Sequence, residues 1–218
     1  MISLGLPGRS CTAVSRKTQG RQSTEVRRTQ IADAARKVAV KYGSEHVTVR
    51  RIANEIGISE GALYRHFKSK HDILSLMVER IQEDIVSGIV KGAAGKTPLG
   101  TLESALLNHM SSIEQRKSVS FQVIAEIISL GDKKLNRQAS EALDRYTAHI
   151  AELLSQGIEA GEIRKDIDPE KAAILVTAAI QGLVSRWALG NYSFNLEQQY
   201  LALWNMLRTT IISVRKPS

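Results

Sequence analysis

The segment at residues 47–67 (VTVRRIANEIGISEGALYRHF) constrains the fold most, because two short amphipathic stretches meet there at a glycine. Thr48 precedes the first stretch and Ser59 precedes the second, and a hydroxyl in that position can accept a hydrogen bond from a backbone N–H of the first helical turn. Gly57 lies where a helix is commonly ended by a left-handed residue. The segment therefore predicts two short helices joined by a tight turn, a helix-turn-helix.

Apolar residues within this segment predict how the two helices pack. Ala53 is small where the helices must approach each other, and the shared core is predicted to contain Ile52, Ile58 and Leu63. A helix presented in this way fits the major groove of B-form DNA, where the pattern of donors and acceptors distinguishes all four base pairs. We expect the second helix to be the reading helix, although an ordinary helical corner of a globular protein would share so short a pattern.

Apolar spacing predicts helices along the rest of the chain as well. The first helix begins at about residue 23 and stops at Gly43, and the third ends near Lys68. Ser69 with Asp72 three residues later predicts a capping box that opens a long fourth helix. Further helices are predicted at about residues 99–115, 118–130, 134–160, 169–189 and 195–213. Because no segment shows convincing strand alternation, the predicted fold class is all-α.

Charge is divided unequally along the chain. Residues 1–70 contain 14 Lys and Arg against 5 Asp and Glu, a net charge of +9, whereas residues 71–218 contain 16 against 17, a net charge of −1. Lysine and arginine gain affinity for nucleic acid by releasing condensed counterions. We therefore expect the first third of the chain to meet a polyanion.

Composition and periodicity predict three segments. Residues 1–22 contain Arg9, Arg16, Lys17 and Arg21 without an acidic residue and without apolar periodicity, so they are predicted to form a basic disordered arm. Residues 23–70 are predicted to form the helix-turn-helix domain, and residues 71–218 a larger helical domain.

Several classes of protein are not expected. Cys11 is the only cysteine, so neither an internal disulfide nor a cysteine-based zinc site is predicted, which fits the reducing cytoplasm. No segment contains the roughly 18 consecutive apolar residues that a membrane span requires. His66 and His71 are predicted to lie on different helical faces, which argues against a metal site. Because no catalytic signature occurs, we predict no enzyme activity, no catalytic residues and no cofactor.

The stretch IANEIGISEGALYRHFKSKHDIL at residues 52–74 resembles the signature of the TetR family of transcriptional regulators. The resemblance is strong over about residues 24–75. Farther along only the layout agrees, together with Gly-Glu-Ile-Arg and Asp-x-Asp-Pro-Glu at residues 161–170, which are similar to the family's lead-in to its dimerisation helices. The resemblance implies a three-helix N-terminal helix-turn-helix domain followed by a larger helical domain for ligand binding and dimerisation.

The resemblance also implies roles for individual residues in DNA binding. Arg50, in the first turn of the second helix, would reach a base edge, and Thr48, Tyr64 and Lys70 would contact phosphates. The exposed face of the reading helix would be formed or bordered by Ser59, Glu60, Gly61, Ala62, Arg65 and His66. These roles are physically sensible, because arginine can form two hydrogen bonds with guanine, while hydroxyls and lysines suit phosphate oxygens.

One helix-turn-helix contacts a single half-site, and specific binding normally needs two, about 34 to 36 Å apart or a multiple of that distance. We therefore expect a homodimer on a near-palindromic operator in double-stranded DNA. Small residues that allow close helix approach and large residues that supply buried area identify dimerisation candidates on the last two helices: Ala179, Gly182, Leu183, Trp187, Trp204 and Leu207. In the alternative interpretation, these residues form only the core of one chain.

A small-molecule pocket within helices five to eight is also implied by the resemblance, with its occupancy moving helix four and separating the two reading heads. The candidate lining residues are aromatic, polarisable or polar residues on otherwise apolar stretches: His109, Met110, Phe121, Tyr146, His149 and Trp187. Core packing explains most such residues equally well, so the ligand-binding residues are left unassigned. Few ionisable groups interrupt these stretches, which predicts an apolar or amphipathic effector.

The predicted function is that of a sequence-specific DNA-binding transcriptional regulator, and more specifically a repressor that a small molecule releases from its operator. The alternative is a basic helical protein that binds nucleic acid without sequence preference, as an architectural factor. The two differ in specificity, since specific recognition should exceed non-specific binding by on the order of 10³ or more.

Overall fold

The computed structural model describes residues 24–92, 97–117 and 120–212, with the side chains in these ranges except those of residues 84–92, 116 and 121. These ranges contain one 3-10 helix, Ser44–His46, and nine α-helices and no strand, which confirms the predicted all-α fold. The α-helices are α1 Thr24–Tyr42, α2 Val49–Ile56, α3 Glu60–Tyr64, α4 Lys70–Gly92, α5 Pro98–Arg116, α6 Ser120–Leu130, α7 Lys133–Glu159, α8 Pro169–Leu189 and α9 Leu196–Ile211.

The helix caps of α2 and α3 are formed by the residues that the sequence indicates. The Arg51 backbone N–H donates to the Thr48 hydroxyl oxygen at 3.3 Å, and the Ala62 N–H donates to the Ser59 hydroxyl oxygen at 3.2 Å. Gly57 ends α2 in a left-handed conformation with φ of 68°. The predicted helix-turn-helix is therefore present, and local side-chain and backbone chemistry defines its turn.

Helix α3 ends earlier than the sequence predicts, at Tyr64 instead of near Lys68. Beyond Tyr64 the N–H groups of His66 and Phe67 both donate to the carbonyl oxygen of Leu63, which tightens the chain into a turn. This turn buries the Phe67 ring, which is 2% exposed. Burial of a large aromatic side chain outweighs the one further helical turn that periodicity alone indicates.

The capping box that opens α4 is confirmed, with one difference. The Asp72 N–H donates to the Ser69 hydroxyl oxygen at 3.3 Å, as predicted. The Asp72 carboxylate reaches back one residue farther than the usual motif and accepts from the Lys68 N–H at 2.7 Å. The start of α4 is thereby tied to the segment that follows α3.

A first core cluster joins α1–α4 to α6 and α7. Its members include, from the first four helices, Ile31, Val38, Ile52, Leu63, Phe67, Ile73 and Leu74, and from α6 and α7, Val123, Ile127 and Leu135. Burying a side chain of this size stabilises the fold by about 1.5 to 3 kcal/mol. This cluster runs across residue 70, so the domain boundary suggested by the sequence stays a prediction.

A second core cluster lies between α5, α7, α8 and α9. Its members include Leu102, Leu106, Met110, Tyr146, Ile150, Leu154, Ile180, Trp187, Tyr200 and Trp204. Helix α8 enters it with the predicted cap, because the Asp168 carboxylate accepts from the N–H groups of Glu170 and Lys171 at 3.1 Å. Pro169 occupies the first turn, where its missing N–H costs nothing.

Helix α8 is the one helix of the described ranges that is long and apolar enough to cross a membrane, judged by length and composition. Such a match is weak evidence, because a core helix meets the same criteria. One side of α8 is buried in the second core cluster through Ala173, Val176, Ile180, Val184 and Trp187.

Candidate nucleic-acid interface

Helix α3 lies on the surface and is anchored by one side chain. Leu63 is fully buried, and Ala62 is half-buried. The other residues predicted to form or border the reading face are exposed: Ser59, Glu60, Gly61, Tyr64, Arg65 and His66. A Cβ added at Gly61 would meet no atom within 4 Å, so packing inside the chain does not require a glycine there.

Two adjacent arginines on α2 have different surroundings. Arg50 is exposed and forms no ion pair with any residue that the structure describes. The guanidinium of Arg51 instead lies over the Tyr42 ring, 4.6 Å from its centroid, and is half-buried against α1. Thr48 is exposed as well. The first turn of α2 can therefore present Arg50 and Thr48 to a ligand while Arg51 holds the helix against α1.

Lys70 begins α4, as predicted, but its ammonium group already has a partner. Lys70 Nζ lies 2.6 Å from Glu126 Oε1 on α6, and the two side chains are 33% and 17% exposed. Reasoning from the sequence did not identify Glu126. Its separation of 56 residues from Lys70 leaves no local signal that could have paired them.

His71 also joins α4 to another helix. Its Nε2 lies 3.2 Å from Asp132 Oδ1, and the same carboxylate oxygen caps α7 by accepting from the N–H groups of Lys134 and Leu135. The hydrogen bond from Leu135, assisted by His71, lowers the pKa of Asp132. His66 is exposed on the reading face. Within the described part of the chain, no group of three or more His, Cys, Asp or Glu could hold a metal ion.

The dimerisation candidates divide into buried and accessible residues. Trp187 and Trp204 are 2% and 0% exposed, and Trp187 Nε1 donates to the Phe194 carbonyl oxygen at 2.9 Å. Both side chains pack inside one chain, and their assignment to the dimer interface stays a prediction. Ala179, Leu183 and Leu207 are half-buried, and Gly182 is exposed.

An apolar face that the sequence analysis missed lies exposed on α8 and α9. Leu175 and Leu189 on α8 are 67% and 74% exposed, and Met206 on α9 is 72% exposed. Leu175, Gly182 and Leu189 recur every seven residues, which places them along one stripe of α8. That spacing was the available signal, and of this stripe the sequence analysis named Gly182 but neither leucine.

Half of the six candidate ligand residues lie in the second core cluster. Met110, Tyr146 and Trp187 are buried there, and the half-buried His109 ring is 5.3 Å from the Tyr146 ring. His149 is exposed and lies 3.9 Å from Glu152, outside this interior. The side chain of Phe121 lies outside the described residues.

Three buried polar groups of this cluster have no hydrogen-bond partner among the described residues: the hydroxyls of Tyr146 and Tyr200 and Trp204 Nε1. Burial raises the pKa of both tyrosines, so their hydroxyls stay protonated. Each unpaired buried group of this kind lowers the free energy of unfolding by about 1 to 3 kcal/mol. The interior of the larger domain therefore contains three unused donors.

A separate polar cleft of about 490 Å³ opens between the start of α5, the α7–α8 joint and the end of α9. Its lining includes the carboxylates of Glu103 and Glu162 and the guanidinium of Arg208. This mixture of charges differs from the apolar pocket that the sequence leads us to expect.

A capped helical corner with an exposed reading helix, set on a larger helical core, defines a class of protein: a helix-turn-helix DNA-binding regulator. Comparison with known families agrees with this class. The family described as "Bacterial regulatory proteins, tetR family" matches residues 31–77, and "BetI-type transcriptional repressor, C-terminal" matches residues 103–211.

Individual relatives are also regulators. The fatty acid metabolism regulator protein of Bacillus subtilis is 27% identical over 192 residues, which cover 84% of this chain and 93% of that protein. The HTH-type transcriptional regulator AcrR of Shigella flexneri is 26% identical over 215 residues, 94% of this chain and 99% of that protein. The crystal structure of FadR from Bacillus subtilis in complex with stearoyl-CoA superposes with a TM-score of 0.68 and 26% identity, covering 85% and 97% of the two chains.

The chain belongs to the TetR family of transcriptional regulators. It is a DNA-binding regulator of the ligand-responsive kind, and such regulators are mostly repressors. Members of the family bind DNA operators and small molecules, typically as dimers, and are generally cytoplasmic. The relatives are regulators and not enzymes.

Proposed function

We propose that this chain is a cytoplasmic homodimeric repressor that binds a near-palindromic operator and leaves it when an apolar or amphipathic small molecule binds. The observation that supports DNA reading most directly is the surface of α3, where Leu63 is buried while Tyr64, Arg65 and His66 are exposed. A helix held by one internal anchor and otherwise open to solvent can enter a major groove without rearrangement.

The proposed DNA contacts are those implied by position. Arg50 would pair with a base edge, and Thr48, Tyr64 and Lys70 would contact phosphates, with the remaining contacts formed by Ser59, Glu60, Gly61, Ala62, Arg65 and His66. Their exposure supports this assignment for every residue except Ala62, which is half-buried, and Lys70, whose ammonium group contacts Glu126. The proposed DNA-binding domain is residues 23–70 and the proposed ligand-binding and dimerisation domain is residues 71–218. The prediction for residues 1–22 lies outside the described residues.

The proposed dimer uses the exposed apolar face of α8 and α9. A twofold interface brings the same patch of two copies together, so a stripe containing Leu175, Gly182 and Leu189 can pack against itself, with Gly182 allowing close approach.

Leu175→Glu should therefore shift the chain to monomer in sedimentation. Ile128→Glu is the matched control, because Ile128 on α6 is 67% exposed and lies off this face. Equal behaviour of the two variants would contradict the assignment.

The proposed effector class follows from the predominantly apolar interior and from a relative. FadR of Bacillus subtilis forms a complex with stearoyl-CoA, a molecule with a long apolar chain. In this chain the second core cluster is apolar apart from a few polar groups such as Tyr146 and Tyr200. An apolar chain that carries a hydrogen-bonding group would match the chemistry of these residues.

A selection experiment tests the function. Duplexes that the protein recovers from a random-sequence pool are compared with scrambled duplexes of equal length and salt concentration. We expect at least about 10³-fold preference and two half-sites separated by about 10 base pairs or a multiple. Near-equal affinities would favour the architectural alternative. Addition of stearoyl-CoA then tests whether an acyl ligand releases the selected duplex.

A further inference from the structure

The Lys70–Glu126 ion pair connects the start of α4 with α6. The separation of 2.6 Å is a direct contact, and both side chains are partly shielded from water, at 33% and 17% exposure. We propose that Glu126 competes with a DNA phosphate for the Lys70 ammonium group, so that the position of α6 sets the affinity of the reading head for DNA. This inference rests on the proposed function, because it uses Lys70 as a phosphate contact.

The competition follows from the chemistry of the three groups. A carboxylate and a phosphate are both anionic acceptors that form short charge-assisted hydrogen bonds with an ammonium group. A phosphate that approaches Lys70 must either draw the ammonium group away from Glu126 or come close to the negative charge of Glu126. Both routes weaken binding relative to an unpaired lysine.

Helix α6 is also contacted at its first turn by another part of the larger domain. Gln122 Nε2, one helical turn before Glu126, donates to the Tyr192 hydroxyl at 3.3 Å. Tyr192 lies in the α8–α9 loop, and its ring packs edge-on against Trp187 with centroids 4.7 Å apart. Helix α6 therefore touches both the start of α4 and the loop between the two proposed dimerisation helices.

A small displacement of α6 is sufficient to change the contact between Lys70 and Glu126. Shifts of helices by about 1 to 2 Å are common in regulatory transitions, and a displacement at the upper end of that range would lengthen the 2.6 Å contact beyond the reach of a direct ion pair. Rearrangement of the larger domain can thus change DNA affinity without any change in α3.

Four variants test the proposal on the selected and scrambled duplexes. Glu126→Gln removes the competing charge, and we expect it to tighten DNA binding by about three- to fivefold. Lys70→Gln should weaken binding and lower the salt dependence of binding by about one phosphate contact. The double variant should bind like Lys70→Gln, because Glu126 acts through Lys70.

Glu79→Gln is the matched control for net charge. Glu79 forms an exposed ion pair with Arg28 at 2.8 Å, so the substitution removes one negative charge from the same part of the chain without touching Lys70. Thermal unfolding and sedimentation check that each variant is folded and dimeric. If Glu126→Gln is poorly folded, Glu126→Ala replaces it with the same expected direction.

Three results would overturn the proposal: weaker binding by Glu126→Gln, an effect equal to that of Glu79→Gln, or tightening that persists when Lys70 is replaced. Failure of the proposed function has a different signature, since the wild-type chain would then bind selected and scrambled duplexes equally. Competition for phosphate can still be measured in that case, because the order of the variants on the scrambled duplex does not depend on base recognition.

Discussion

The reading corner at residues 44–72 and the larger helical domain differ in how their polar side chains are paired. In the corner, Thr48, Ser59 and Asp72 each bond to backbone N–H groups no more than four residues away. In the larger domain, the hydroxyls of Tyr146 and Tyr200 are buried without partners among the described residues. The helix starts of the reading corner are therefore fixed by local hydrogen bonds, whereas the interior of the larger domain retains polar groups without a partner among the described residues.

The largest expected effect lies in the larger domain. Trp204→Ala should lower the free energy of unfolding by about 3 to 5 kcal/mol, because it empties a fully buried site. Chemical denaturation at a fixed protein concentration measures the change, and Glu141→Ala, exposed on α7, should stay within about 0.5 kcal/mol. Unchanged stability together with loss of the dimer would support the interface role that the sequence first indicated.

The next largest effect concerns two adjacent arginines of the corner. Arg50→Ala should weaken specific DNA binding by about 1 to 3 kcal/mol and relax base preference at one position of each half-site. Arg51→Ala is the control, because the Arg51 guanidinium packs on Tyr42 and should affect stability more than base preference. Titration of duplexes with single base changes provides the measurement. Equal loss of base preference in both variants would remove the distinction between these arginines.

Two hydroxyl deletions compare the regions directly. Thr48→Ala removes the cap of α2 and should cost about 1 kcal/mol of stability. Tyr146→Phe removes a buried hydroxyl that has no partner among the described residues, so stability should stay the same or rise. Both changes are read from denaturation midpoints. A clear destabilisation by Tyr146→Phe would mean that its hydroxyl is already satisfied.

The smallest effect concerns acid stability where the two regions meet. The folded state holds the pKa of Asp132 below its usual value of 3.8, through the Leu135 N–H and His71. The folded chain then binds fewer protons than the unfolded chain, so this contribution is complete above about pH 4 and is lost as the pH falls through the lowered folded pKa.

Asp132→Asn keeps a good helix cap but removes this titration, and it should flatten the loss of stability below pH 4. Denaturation midpoints measured down the acid range provide the test. His71→Gln should flatten the same range in part, because it removes only one of the groups that lower the pKa. An acid profile identical to wild type in Asp132→Asn would rule out this contribution.

Patterns within a few residues predicted much of the structure correctly. The cap at Thr48, the left-handed Gly57 and the Asp168-Pro169 start of α8 all appear where the sequence places them. Prediction was weaker where a distant residue decides the outcome. Phe67 ends α3 early by turning into the core, and Trp204 is enclosed by helices from other parts of the chain.

The amino-acid sequence by itself determined the helical class, the corner with its exposed reading residues and the family, because caps, glycine turns and apolar periodicity act over one or two helical turns. Tertiary structure alone decided that Glu126 holds Lys70 and that Leu175 and Met206 face outward while the tryptophans turn inward. Those outcomes depend on which helices pack together across tens of residues, and burial of apolar area is a property of that packing and of no single segment.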